Sequence, residues 1–122
     1  MDLLEVFKDS DDLVELTARS VLFEEGDKAD FMFVIVKGDI SLSLRGTEIA
    51  IASQGAIIGE MALVSSDPRS ATATAVTDCL LASIDVHSFR LLVQHTPDFA
   101  LHIMNVLASR LRRANEALAG IL

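Results

Sequence analysis

With 122 residues, 51% of them hydrophobic, and a formal net charge of −8, the chain can build one hydrophobic core and is too short for a second. No apolar run approaches the roughly 18 residues needed to cross a membrane, and the single cysteine, Cys79, excludes an internal disulfide and a four-cysteine iron–sulfur centre. Ten acids against Lys8, Arg19 and Lys28 crowd residues 1–30, which leaves the rest close to neutral; there is no basic face for nucleic acid, and Tyr and Trp, the usual base-stacking partners, are absent.

The N-terminus, MDLLEVFKDSDD, is acidic where a signal peptide would be basic, so the expected location is cytoplasmic. Leu3, Leu4 and Phe7 among acids predict a brief helix or turn between Asp2 and Asp12, at the edge of the fold. The segment Leu13 to Glu25 is rich in β-branched and aromatic residues and predicts strands at Glu15–Ala18 and Ser20–Phe23, stopped by the turn Glu25-Gly26-Asp27. Phe31 to Val36 is the strongest strand. Lys37-Gly38-Asp39 turns it into Ile40–Leu44, whose strict alternation marks a half-buried strand, and Arg45-Gly46-Thr47 is a second hairpin signal leading into Glu48–Ala52.

From Gly55 the pattern departs from ordinary core-and-turn alternation. Gly59 lets the backbone come close to a ligand, and the run from Glu60 to Val64 is long enough for one helical turn whose free N–H groups can face an anion. After the polar loop Ser65-Ser66-Asp67-Pro68 comes a lone arginine, Arg69, whose planar fork suits two phosphate oxygens, with the Ser70 hydroxyl beside it. Glu60 would repel a phosphate but can accept a hydrogen bond from a sugar hydroxyl on the same molecule, so the residues fit a sugar phosphate. Taken alone they fit equally a glycine turn, a helix and a surface arginine with no ligand.

Ala71 to Val76 alternates small apolar and hydroxyl residues, as a strand would if one face lay close under a ligand, and Thr77-Asp78 turns it into Leu80–Ile84. Short strands between glycine turns predict a mainly β, α+β fold: an antiparallel β-roll of the jelly-roll-like barrel type over about residues 13–85. From Asp85 the period changes. Asp85 can cap a helix over Ser88 to His95, and Pro97 can begin another running to about Ala119, so helices are expected over residues 86–120 of a single domain, 1–122. In the last helix Ala100, Met104, Leu107, Leu111, Ala114, Leu118 and Ile121 fill every a and d position of three heptads. Packing on the chain's own barrel and a two-helix seam between subunits both account for this stripe, and the strict 3.5-residue period fits the seam, hence a homodimer, better.

The order G-E-M-A-L at residues 59–63, five further residues, then R-S-A-T at 69–72 resembles the phosphate-binding cassette of the cyclic nucleotide-binding domain family, found in kinase regulatory subunits, cyclic-nucleotide-gated channels and Crp/Fnr-type bacterial regulators. Pro68 before the arginine and the small pair after it belong to the match, and Glu24 to Asp39, with its E-x-G, aromatic-rich strand and K-G-D turn, agrees with it. The resemblance implies that Glu60 holds the ribose 2′-hydroxyl, that Ala62 gives a backbone N–H to the cyclic phosphate, that Arg69 pairs with that phosphate, and that Ser70 and Ala71 are adjoining donors. Ile58, Gly59 and Met61 complete the cassette lining, and Arg110, Ala114 and Asn115 of the last helix are placed by the same resemblance near the ligand. Where the family usually has Phe before the glycine this chain has Ile58, a change that bears on core shape rather than on phosphate chemistry.

The expected ligand is cAMP, with cGMP as the alternative, and no cofactor or metal is expected. His87, His95 and His102 lack the spacing that sets two imidazoles on one ion. No Ser or Cys lies in a nucleophile elbow, so an enzyme is not expected. The expected function is a cyclic-nucleotide sensor module that signals by movement of its C-terminal helix. The competing expectations are a scaffold or dimerisation module of the same fold without this ligand, and the sensor half of a Crp-type transcription regulator whose DNA-binding part would lie beyond Leu122.

Overall fold

The computed structural model describes residues 1–10 and 12–121, with the side chains of Ala62 and Ile121 outside that description. Two compact units are present, Asp2–Val86 and the helical segment from His87 onward. In the first, eight strands among the described residues form two four-stranded antiparallel sheets: β1 (Leu13–Leu16), β8 (Cys79–Asp85), β3 (Phe31–Lys37) and β6 (Ile57–Ile58) in one, and β2 (Val21–Phe23), β7 (Thr72–Ala75), β4 (Ile40–Leu44) and β5 (Thr47–Ala52) in the other. Apart from the β4–β5 hairpin, neighbours in each sheet are distant in sequence, which is the β-roll expected. The core lies between the sheets: Phe33 and Ile35 of β3, Ile58 of β6 and Leu81 of β8 meet Ile40, Ala52, Ala73 and Ala75 of the other sheet.

The first two strands sit in different sheets, and both are displaced from their expected bounds. Residues 17–20 make a turn, Ser20 N–H donating to the Thr17 carbonyl at 3.0 Å, with Arg19 left-handed at φ 72°. Ala18 N–H donates to the Asp78 carboxylate at 2.8 Å instead of to a strand neighbour, so β1 ends at Leu16.

Strand β3 is buried continuously from Met32 to Val36 because β8 and β6 flank it in the sheet and the short helix α1 (Leu3–Phe7) packs against it. Asp2 caps α1, accepting from Glu5 N–H at 3.3 Å. The helix expected between Asp2 and Asp12 is thus confined to five residues, and Asp11 lies outside the described residues. In β7 the expected alternation is present, and the structure assigns its two faces. Ala73 and Ala75 are the buried face, so they are small because two sheets meet there, while Thr72 uses its hydroxyl to accept from Glu25 N–H at 3.0 Å.

The helical part comprises α3 (Val86–His95) and α4 (Pro97–Ile121), joined at Thr96, whose N–H closes α3 on Leu92. Phe89 and Phe99 meet edge to face at 5.7 Å. On α4 Phe99 and Ile103 are buried, whereas the heptad residues Met104, Leu111 and Leu118 are about 60% exposed. The buried stripe is therefore displaced by about 100°, one residue's rotation, from the heptad stripe.

Candidate functional site

β6 hydrogen-bonds to β3 with Ile58 opposite Phe33, and Ile58 is buried, so it serves the core, as its apolar character required. The next residue, Gly59, is at φ 76° and turns the chain out of the sheet into α2 (Glu60–Ser65). Gly59 is needed twice over: besides its left-handed backbone, an added Cβ would overlap Arg69 Nη1. Ser66, left-handed at φ 61°, follows the end of α2.

The returning loop is pinned to the turn between β2 and β3. Arg69 N–H donates to the Asp27 carbonyl at 2.9 Å and Gly26 N–H to the Arg69 carbonyl at 2.8 Å. From that anchor the guanidinium runs inward. Nη1 donates to the Gly59 carbonyl at 3.2 Å and Nη2 to the Phe31 carbonyl at 2.6 Å. Its Cζ lies 4.1 Å from the centroid of the Phe23 ring and 5.9 Å from that of Phe33. Only 7% of Arg69 is exposed, and Nε is buried with no hydrogen-bond acceptor among the described residues. Burial pulls the guanidinium pKa down from its ordinary value, with the carboxylates of Asp30 and then Asp27 opposing it.

Glu60 opens α2 and is 1% exposed, a position where the helix dipole favours a carboxylate. The arrangement therefore sets a buried carboxylate one residue from the glycine that receives Arg69. Of the other cassette residues, Met61 and Ser70 are exposed and Ala71 is half-buried; the side chain of Ala62 lies outside the described residues. Arg110, Ala114 and Asn115 all lie on α4. Arg110 is half-buried, and burial first, then Arg113, lowers its pKa; Ala114 and Asn115 are exposed.

Sequence reasoning singled out Gly59, Glu60 and Arg69 but not what surrounds the arginine: the Phe23 ring, the Phe31 carbonyl and the backbone pair with Gly26 and Asp27. The turn at Glu25-Gly26-Asp27 was visible, but its pairing with a loop more than forty residues later has no local signal. Among the described residues no three His, Cys, Asp or Glu side chains are grouped to hold a metal, and no helix is long and apolar enough to cross a membrane. A cavity of about 330 Å³ bounded by Glu15, Thr17, Lys37, Asp78 and Cys79 includes none of the cassette residues.

A sequence model of the cyclic nucleotide-binding domain matches residues 13–96. The cAMP-activated global transcriptional regulator CRP of Salmonella typhimurium is 31% identical over 110 residues, covering 85% of this chain and 52% of that protein. The chain thus spans about half the length of the curated relatives it matches. Among solved structures, the Thermus thermophilus catabolite activator protein superposes with a TM-score of 0.81 at 27% identity, covering 88% of this chain and 53% of that one. The EAL enzyme Bd1971 in its cGMP-bound form gives a TM-score of 0.68 at 30% identity, covering 87% of this chain but 30% of that chain.

Proposed function

This chain belongs to the cyclic nucleotide-binding domain family, and from that premise we propose that it is a sensor module binding cAMP in preference to cGMP, with residues 59–71 taking the sugar phosphate. The observation that carries the reading is the buried Arg69 guanidinium, drawn to the Gly59 carbonyl beside the buried Glu60. A guanidinium whose buried Nε has no acceptor among the described residues, in a site of low dielectric, is a strong attractor for a phosphate monoanion. Glu60 has the chemistry to accept from the ribose 2′-hydroxyl, Ala62 to offer its backbone N–H, and Ser70 and Ala71 to add donors at the rim. The preference for cAMP is supported by the relative named as cAMP-activated; the cGMP-bound neighbour keeps cGMP as the competitor.

We assign signalling to movement of α4, with Arg110, Ala114 and Asn115 as the ligand contacts that the family resemblance implies and the exposed Met104, Leu111 and Leu118 as a seam for a second copy. A match to about half of the CRP relative supports one particular setting for such a module, the sensor half of a Crp-type regulator. Isothermal titration with cAMP, cGMP and 5′-AMP tests the proposal. Binding of a cyclic nucleotide ahead of 5′-AMP is expected, with cAMP tightest; no heat with either cyclic nucleotide would leave a scaffold of the same fold, and tighter cGMP would reverse the preference.

A further inference from the structure

We propose that Phe23 is a positioning residue for the phosphate-binding arginine, its ring face acting as the floor that holds the Arg69 guanidinium in its binding-ready rotamer. The inference rests on the reading of Arg69 as the phosphate partner and concerns what sets its strength. A free arginine side chain samples many rotamers, and a ligand that must order it loses affinity. In this protein the guanidinium is held from three sides by the chain itself. Its backbone is clamped to Gly26 and Asp27, its terminal nitrogens are directed by the carbonyls of Gly59 and Phe31, and its Cζ lies over the Phe23 ring, 4.1 Å from the centroid.

The carbonyls fix direction in the guanidinium plane, but neither restrains motion out of it. The ring does. Its π face attracts the cation across that missing direction, and the attraction is strongest where, as here, the cation is withdrawn from water. The floor is itself supported, because Phe23 stacks on Phe33 with centroids 6.3 Å apart and planes at 22°, and Phe33 is a buried core residue. Phe23 sits at the end of β2, three residues before the Gly26 that anchors the Arg69 carbonyl, so one short segment supplies both the backbone clamp and the floor.

The test is titration of cAMP into the full chain carrying mono-, di- and trifluorinated phenylalanine at position 23, and into Phe23→Leu, with thermal melts alongside. Fluorination withdraws charge from the ring face with almost no change of volume, so a purely packing role would not respond to it. Affinity is expected to fall stepwise with fluorine number while the melting temperature holds, and Phe23→Leu is expected to bind roughly 2–30-fold more weakly than the unsubstituted protein. A flat fluorine series, or Phe23→Leu binding as tightly as or more tightly than the unsubstituted chain, would overturn the proposal while leaving the cyclic-nucleotide reading intact. Failure of the unsubstituted chain to bind cAMP or cGMP at all would instead remove that reading, and this inference with it.

Discussion

Arg69 is the residue on which the candidate chemistry turns, and it is buried to a degree that most arginines avoid. Its charge is tolerated because two backbone carbonyls, an aromatic face and the nearby Asp27 and Asp30 carboxylates replace water. Removing a desolvated partner from a charge pair costs about 2–5 kcal/mol, so Arg69→Ala should bind cAMP between about thirty-fold and several thousand-fold more weakly by titration. Arg69→Lys should recover little, since an ammonium cannot address both carbonyls and a phosphate edge in one plane. At Glu60 the expected signature is selectivity. Glu60→Gln should narrow the difference between cAMP and its 2′-deoxy analogue, because a hydrogen bond to a charged acceptor, worth about 1.5–3 kcal/mol, becomes a neutral one. If the unsubstituted chain binds both nucleotides equally, Glu60 has another task.

At the scale of elements, the two glycine turns that looked alike in the sequence differ: Gly46 closes the β4–β5 hairpin, whereas Gly38 carries the chain from one sheet to the other. Gly38 and Gly46 both have positive φ, 96° and 83°, but a Cβ at Gly38 would lie 2.6 Å from the Asp78 carbonyl oxygen and from Cys79 Sγ, while at Gly46 it would meet nothing within 4 Å. Gly46→Ala should therefore lose only the backbone penalty of about 1–3 kcal/mol, and Gly38→Ala visibly more, in urea unfolding followed by circular dichroism. Equal losses would show that the sheet relaxes around the added methyl. The last helix poses a different question. Its heptad residues Leu111 and Leu118 are exposed, so Leu111→Glu with Leu118→Glu should leave the melting temperature of the β-structure nearly unchanged while converting a dimer to a monomer in sedimentation. A doubly substituted chain that still dimerises would move the seam elsewhere.

At the scale of the whole molecule, a switch requires that ligand and helix seam bias each other. Coupling free energies of this kind correspond to about 5–150-fold, and the factor per site must be the same in both directions. Saturating cAMP should accordingly shift the dimerisation constant by the square of the per-site factor by which dimerisation shifts cAMP affinity, because each dimer holds two pockets, both read on one preparation; no shift in either would make pocket and seam independent. What could be read without the fold was whatever has a local signal: glycine turns between alternating strands, the G-E-M-A-L and R-S-A-T spacing, the change of period at Asp85, and the heptads after Pro97, all properties of a few adjacent residues. What only the tertiary structure decided depends on which distant segments meet. It set β1 and β2 in different sheets, turned the alanines of β7 toward the core, buried Phe99 and Ile103 instead of the heptad stripe, and laid Phe23 under Arg69. Alternation states that a strand has two faces without stating which neighbour each will meet, and contacts between residues so far apart in the chain carry no period that a single sequence could display.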